Sequence, residues 1–230
     1  MIQDAILNIR KRIIGACSKI NQDPDSITIV AVTKGRTAGQ IKESITAGIT
    51  DIGENRVQEA LIKYNAMRTT PCAQRIKWHM VGHLQTNKVK EAVKLFDLIH
   101  SVDSIRLAKE IDKESAKINK IQEVLIEIKT SAEATKFGLK SDEALKVIKE
   151  IADLKNINIK GLMTIAPLVD NPEKTRPYFR ILRELRDKIN ALRVTSYELR
   201  VLSMGMTDDF EVAIEEGANM IRIGRAIFEG

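Results

Sequence analysis

Strand-like and helix-like segments alternate along nearly the whole chain, and this alternation limits the possible folds more than any other feature. Each short apolar run rich in β-branched residues is followed by apolar residues at helical spacing. We predict eight strands, at about residues 28–34, 51–56, 77–83, 98–102, 124–128, 159–165, 198–203 and 220–224. Strict alternation of strands with helices indicates a parallel sheet.

The number of repeats favours one parallel-sheet architecture over another. Eight strand–helix units in 230 residues suit a closed (β/α)8 TIM barrel better than an open doubly wound sheet. The Gly-x-Gly-x-x-Gly pattern of a Rossmann fold does not follow the first strand. An extra N-terminal helix carries Ile2, Ile6, Ile9 and Ile13 on one face, and we expect it to cover the side where an eighth helix would lie. No linker interrupts the sequence, so residues 1–230 are predicted to form a single domain.

Composition argues against several classes of function. The net charge of +6 suits anionic small molecules, whereas an aromatic content of 4% is too low for a surface that stacks nucleic-acid bases. No apolar run is long enough to cross a membrane, and the N-terminus does not resemble a signal peptide. Cys17 and Cys72 are isolated, without metal or redox spacing. We therefore expect a cytoplasmic protein that binds neither nucleic acid nor membrane.

Lys34 is the first candidate for chemistry. It ends an apolar strand that begins at Thr28, and Gly35 follows it directly. A parallel strand that ends in this way delivers an amine to the C-terminal edge of the sheet, where it can form a Schiff base with a carbonyl compound. The alternative is that the Lys34 side chain only extends along the strand end to reach solvent. This stretch alone leaves both interpretations open.

The loops after the last two strands carry the features of a phosphate site. In TIM barrels, the loops after strands seven and eight commonly bind phosphate. Here they contain Gly205 and Gly224, which allow close backbone approach, the hydroxyls of Ser203 and Thr207, and the charge of Arg225. Each of these residues alone has an ordinary explanation as a turn former or a solvated charge. Together on one rim, they predict phosphate binding.

Barrel closure makes strand eight a neighbour of strand one, so Lys34 should lie beside this phosphate site. An amine next to a phosphate site is what pyridoxal 5′-phosphate (PLP) requires. Arg222 shares a strand face with Gly224 and could reach the pyridine nitrogen, which an arginine would leave unprotonated. Asn55 follows the second strand at the same rim and could bond a ring oxygen, although an Asx-turn explains it nearly as well.

The histidines do not predict a metal site. His79 and His83 are four residues apart on a strand, a separation of roughly 13 Å that is too large for a shared metal ion. We interpret His79 and His100 as structural residues and place His83 at the strand exit, near the site. No metal site is predicted.

Several motifs together resemble the pyridoxal phosphate homeostasis protein family. They are Ala31–Lys34, Gly53–Glu59, Trp78–Lys88, Ser101–Asp103, Gly161–Met163, Leu202–Asp209 and Arg222–Gly224. They occur in the family's order and span nearly the whole chain from about residue 28.

The resemblance implies a barrel similar to the N-terminal domain of bacterial alanine racemase. It also implies PLP held as a Schiff base on Lys34, with Asn55 lining the ring and Arg222 facing the pyridine nitrogen. By position it assigns phosphate contacts to Ser203, Gly224 and Arg225. Many members carry threonine at the position of Arg225, so a charged contact would replace a hydroxyl here.

The resemblance implies a PLP carrier or regulator of vitamin B6 and amino-acid pools, with no firmly established reaction. On this hypothesis we expect a monomer that is not an enzyme and that exchanges PLP, with PLP-dependent apoenzymes as recipients. The alternative is a PLP-dependent racemase, which would need a protonatable residue opposite Lys34. The chain's tyrosines, Tyr64, Tyr178 and Tyr197, do not lie at predicted strand exits. A Schiff-base aldolase acting on a sugar phosphate is the third hypothesis.

Overall fold

Eight parallel strands close into a barrel in the computed structural model of this chain, which describes residues 1–131, 133, 137–196 and 198–229. The described strands are β1 (Thr28–Val32), β2 (Asp51–Glu54), β3 (Lys77–Met80), β4 (Leu98–Val102), β5 (Gln122–Lys129), β6 (Leu139–Lys140), β7 (Ile157–Met163), β8 (Val201–Ser203) and β9 (Met220–Ile223). Around the ring the order is β1-β2-β3-β4-β5-β7-β8-β9, and the pairing of β9 with β1 completes it. The predicted (β/α)8 barrel is confirmed.

Several strand bounds differ from the sequence prediction: β1, β2, β3 and β7 end two or three residues before their predicted ends. The two-residue strand β6 was not predicted, and it pairs with the C-terminal end of β5 outside the ring. The seventh strand of the barrel, β8, begins at Val201 rather than near residue 198. The reason is that the Asn190 side chain bonds both the N–H and the carbonyl of Leu199 (2.9 and 3.1 Å), which occupies backbone groups that a longer strand would use.

Helices surround the barrel. The described helices are α1 (Ile2–Ser18), α2 (Ala38–Thr46), α3 (Val57–Met67), α4 (Val89–Leu95), α5 (Ile105–Ala116), α6 (Ala144–Ala152), α7 (Arg176–Ala191), α8 (Phe210–Glu215) and α9 (Arg225–Phe228). Short 3-10 turns lie at Pro24–Ser26, Ala73–Arg75, Thr86–Lys88 and Pro172–Thr175. None of these helices is both long enough and apolar enough to traverse a bilayer.

The N-terminal helix α1 packs where the last helix of the ring is short. It contacts α2, α8 and the four-residue α9, and its apolar face is buried, as the spacing of its isoleucines predicts. Arg12 of α1 reaches Glu211 of α8 with two hydrogen bonds of 3.1 and 2.7 Å. The helix that follows the last strand of the barrel, α9, is thus present but short, and α1 covers much of that side.

Side chains inside the barrel separate into apolar and polar groups. Alternation along each strand sends every second side chain inward. The inward apolar cluster contains Val30, Val81, Leu98, Leu125, Met163 and Met220. A larger apolar cluster fills the layer between the outer faces of the strands and the helices. The buried polar side chains that share the interior with the inward cluster lead to the candidate site.

Candidate functional site

Lys34 stands at the C-terminal rim of the barrel, two residues beyond the end of β1, and is exposed. It lines a cleft of about 510 Å³, here called the lysine cleft, together with Asn55, Arg56, His83 and Lys88 among others. Gly35 follows with a φ of +70°, a left-handed conformation that favours glycine and turns the chain away from the rim. An exposed amine in an open cleft is accessible to a small carbonyl compound.

The backbone on both sides of Lys34 is held by a buried charged cluster that sequence analysis missed. The Lys63 ammonium donates to the Thr33 carbonyl, to Glu54 Oε1 (2.6 Å) and to Glu59 Oε1 (2.7 Å). The Gly35 N–H donates to the same Glu59 oxygen at 2.6 Å, and the Thr33 hydroxyl donates to Glu54. These contacts fix the backbone from residue 33 to residue 35, and with it the position of Lys34.

Lys63 and Glu54 of this cluster are buried and Glu59 is partly exposed, and the pKa values of the two carboxylates shift in opposite directions. Burial raises the pKa of Glu54 above its usual value, although hydrogen bonds from Lys63 and Thr33 oppose the shift. The pKa of Glu59 is lowered, since hydrogen bonds from Lys63 and Gly35 outweigh a partial burial that acts to raise it. Glu54 is fully buried and its Oε2 has no hydrogen-bond partner in the described chain.

A second cleft of about 480 Å³ opens on the other side of the end of β1. We call it the arginine cleft, and it is lined by Val32, Thr207, Arg222, Gly224 and Arg225 among others. Val32 belongs to this cleft and Lys34, two residues further, to the lysine cleft. The pairing of β1 with β9 brings the two clefts to adjacent strands.

The arginine cleft carries donors suited to an anion. Among the described residues, no acceptor is found for the backbone N–H groups of Thr207, Asp208 and Arg225. A side chain at Gly224 would place its Cβ 3.3 Å from the Val32 carbonyl, so glycine keeps the two strands' exits close. Arg225 is exposed and pairs with Asp208. Unpartnered N–H groups beside an arginine match the chemistry of a phosphate group.

Arg222 lies inside the barrel mouth and is 4% exposed. Its Nη1 donates to Ser203 Oγ at 2.7 Å and its Nη2 to the Thr164 carbonyl at 2.8 Å. Burial lowers the pKa of Arg222 to about 10, and the negative charges of Asp209 and Glu127 oppose the shift. The guanidinium is therefore still cationic near neutral pH. It is fixed by the protein while part of it faces the arginine cleft.

Ser203 has no exposed surface and its hydroxyl is already bonded. Besides accepting from Arg222, Ser203 Oγ lies 3.0 Å from His100 Nδ1. His100 Nε2 lies 2.9 Å from His79 Nδ1, and His79 Nε2 lies 3.0 Å from Asp51 Oδ1. His79 and His100, which the sequence suggests are structural, therefore connect Asp51 to Ser203. Burial lowers the pKa of His100 well below its usual value, so this imidazole is neutral.

Glu127 is a buried acidic residue inside the barrel that the sequence analysis did not single out. It is 6% exposed, on β5, and lines a small cavity of about 150 Å³ with Phe137 and Ile165. Burial raises the pKa of Glu127 to about 7, the charge of Asp103 adds to this, and that of Arg222 opposes it. Strand alternation could have indicated its inward direction, since it stands among apolar residues of a predicted strand.

The structure distributes the predicted residues over three positions. Lys34 and Asn55 line the lysine cleft, while Arg222, Gly224 and Arg225 line the arginine cleft. Ser203 lies below the surface, in contact with Arg222. The phosphate contact of the Ser203 hydroxyl therefore stays a prediction, and so do the cofactor roles of the other five residues.

The tyrosines and His83 were the other candidates for a role near Lys34. Tyr64 packs edge-on against Trp78 with ring centroids 5.8 Å apart, and Tyr178 is on α7; neither lines the lysine cleft. Tyr197 lies outside the described residues. His83 lines the lysine cleft and pairs with Asp103 at 3.3 Å. Within the described ranges, no group of histidine, cysteine and acidic residues has the arrangement of a metal site.

Comparison with known proteins gives full-length matches. The family model for the alanine racemase N-terminal domain matches residues 18–230. A pyridoxal phosphate homeostasis protein of Aquifex aeolicus is 41% identical over 225 residues, which cover 98% of this chain and 96% of the relative. The structure of PipY from Synechococcus elongatus with PLP bound superposes with a TM-score of 0.86 and 32% identity, covering 99% of this chain and all of PipY.

A more distant match concerns the fold alone. An alanine racemase of Clostridium difficile in complex with cycloserine has a TM-score of 0.73 and 16% identity, over 96% of this chain and 59% of the racemase. The barrel is thus shared with a larger protein, whereas the matches at higher identity extend from end to end. The chain belongs to the family of pyridoxal phosphate homeostasis proteins, whose barrel is that of the alanine racemase N-terminal domain.

Proposed function

We propose that this protein binds PLP through Lys34 and acts in intracellular PLP (vitamin B6) and amino-acid homeostasis. One observation carries the proposal: an exposed amine and a set of unpartnered backbone N–H groups flank the end of the same strand, β1. The family supports it, because PipY has been solved with PLP bound. When bound, PLP supplies an aldehyde for the lysine amine and a phosphate for the rim.

Each residue of the proposed site would contact a different part of PLP. Lys34 would hold the cofactor covalently and Asn55, in the same cleft, would contact the ring. Arg222 would donate to the pyridine nitrogen, because it is a fixed cation with donors to spare. The backbone at Gly224 and the side chain of Arg225 would hold the phosphate.

The proposal includes the setting in which this chemistry occurs. We propose a cytoplasmic monomer in which residues 1–230 form one PLP-binding domain and PLP-dependent apoenzymes receive the cofactor. The exposure of Lys34 supports exchange, because an accessible covalent bond can be attacked by water or by another amine. A role without catalysis is consistent with the homeostasis function for which the relatives are named.

The experiment is to record the visible absorption of the purified protein with added PLP, before and after borohydride. We expect a band that borohydride removes, and a pyridoxyl group on the peptide that contains Lys34. Lys34→Ala should lose both, whereas Lys42→Ala, which removes an amine from α2, should keep them. A wild-type protein that gains no absorbance with PLP would refute the proposal and leave the aldolase hypothesis.

A PLP-dependent racemase is the second candidate, and Glu127 is the observation in its favour. A buried acid with a pKa near 7 at the barrel mouth has the properties of a group that exchanges protons. The test is to incubate the PLP-loaded protein with amino acids in deuterium oxide and follow exchange at Cα. Exchange that Glu127→Gln abolishes would support a catalytic role; no exchange above free PLP would leave the carrier role.

A further inference from the structure

A row of buried polar side chains crosses the interior of the barrel. Asp51 is the first residue of β2, and Arg222 is on β9 and lines the arginine cleft. Between them, His79, His100 and Ser203 project inward from β3, β4 and β8. The four successive contacts measure 3.0, 2.9, 3.0 and 2.7 Å from Asp51 to Arg222. We call these five residues the polar row.

The chemistry of its ends gives the row a direction. A guanidinium can only donate hydrogen bonds, so Arg222 donates to Ser203. Hydrogen bonds from His79 and Thr50 keep the pKa of Asp51 low although burial acts to raise it, so this end is a carboxylate that only accepts. With neutral imidazoles, each residue between the two ends then accepts on one side and donates on the other.

Ser203 determines how the row is protonated. Its hydroxyl has no exposure, and a buried hydroxyl proton without an acceptor is costly. Arg222 cannot accept it, and His100 Nδ1 is the acceptor that the described structure offers. His100 then carries its proton on Nε2 and donates to His79 Nδ1. His79 in turn donates from Nε2 to Asp51.

The polar row also affects the charge environment of Arg222. Among the described residues, Arg222 donates to Ser203 and to the Thr164 carbonyl but to no carboxylate, and Asp209 and Glu127 act on it only through space. Each bond of the row points its proton toward Asp51 and its lone pair toward Arg222. The four aligned bonds therefore polarise one another in the same sense, with their negative ends toward the guanidinium.

We propose that Asp51, His79 and His100 are positioning residues of the cofactor site, which fix the orientation of Arg222 through Ser203. The inference rests on the proposed function, because it assigns Arg222 to the pyridine ring of PLP. It also gives the Ser203 hydroxyl a different task from the predicted phosphate contact, since its single proton is donated to His100. The phosphate is then left to backbone N–H groups and Arg225.

The first test concerns the protein without reference to PLP. Long-range ¹H–¹⁵N correlation NMR distinguishes the two neutral imidazole tautomers from the charged ring. We expect His79 and His100 to carry their proton on Nε2 at pH 7, with assignments from His79→Gln and His100→Gln. A proton on His100 Nδ1, with a charged His79 that donates to His100, would reverse the two central bonds of the row and overturn the proposal.

The second test measures PLP affinity by titration of the visible absorption band. Asp51→Asn keeps an acceptor for His79 but removes the charge. We expect PLP to bind about tenfold more weakly, which is the lower end of the loss caused by removing the outer-shell partner of a metal ligand. The matched control is Asp112→Asn: Asp112 is half-buried on α5 and accepts from Asn156, so its loss of charge should leave PLP affinity unchanged.

The two tests separate the possible failures. Equal PLP affinity of Asp51→Asn and the wild type, or an equal loss in Asp112→Asn, would overturn the positioning role. A shift of the absorption maximum in Asp51→Asn at saturating PLP would support it, since a general loss of stability does not change the environment of the ring. If the wild type binds no PLP, the proposed function fails, the positioning role fails with it, and the NMR result still decides the direction of the row.

Discussion

The buried acid Glu127 predicts an unusual dependence of stability on pH. Its pKa is about 7 in the folded protein against 4.5 for the exposed side chain. Between these pH values the folded state holds a proton that the unfolded state has lost, so the free energy of unfolding decreases as pH rises. A shift of this size corresponds to about 3 kcal/mol in total, of which about 2.5 kcal/mol falls between pH 5 and pH 8.

Glu127→Gln isolates this contribution because it keeps the shape and removes the titration. Urea unfolding at pH 5, 6, 7 and 8, without added PLP, should show that the variant gains on the wild type by about 2.5 kcal/mol across the series. Glu123→Gln is the control: Glu123 is on the same strand but its side chain is 47% exposed and pairs with Lys160. A constant difference between wild type and Glu127→Gln at all four pH values would refute the reasoning.

Three further predictions concern stability, each measured by urea or thermal unfolding. Lys63→Met removes the partner of the buried Glu54 and should cost about 3–5 kcal/mol at pH 7; a loss below about 1 kcal/mol would contradict it. Gly161→Ala should cost more than about 4 kcal/mol, because the added Cβ would lie 1.9 Å from the Val201 carbonyl. Gly15→Ala should stabilise α1 by about 0.5–1 kcal/mol, since nothing lies within 4 Å of the new methyl group, and a loss of stability there would count against the helix assignment.

The fold was predictable because each strand is a local pattern. Apolar runs of strand length, separated by helical spacing, define the repeats, and barrel closure follows from their number. The rim residues Lys34, Gly224 and Arg225 could be predicted for the same reason, since a residue that follows a parallel strand lies at a known edge. The short β8 could not, because its start depends on a side-chain contact from Asn190 across a loop.

The interior of the site was not predictable from local patterns. His100 and Ser203 are 103 positions apart in the sequence, and their 3.0 Å contact depends on the stagger of strands around the ring. The contacts of Lys63 likewise depend on how α3 packs over the ends of β1 and β2. Residue type indicated that these side chains were polar, but only the three-dimensional register gives them partners.

The seam between β1 and β9 has a consequence for the order in which the protein can form. Lys34 leaves the ribosome long before Arg222, Gly224 and Arg225 are made. The strands that carry them pair directly across the seam, and α1 packs on α8 and α9 at the same side. A nascent chain that lacks β9 has an open sheet edge and lacks Arg222, Gly224 and Arg225 of the arginine cleft. The proposed PLP site can therefore be complete only after β9 has been made and has paired with β1, so its assembly coincides with closure of the barrel.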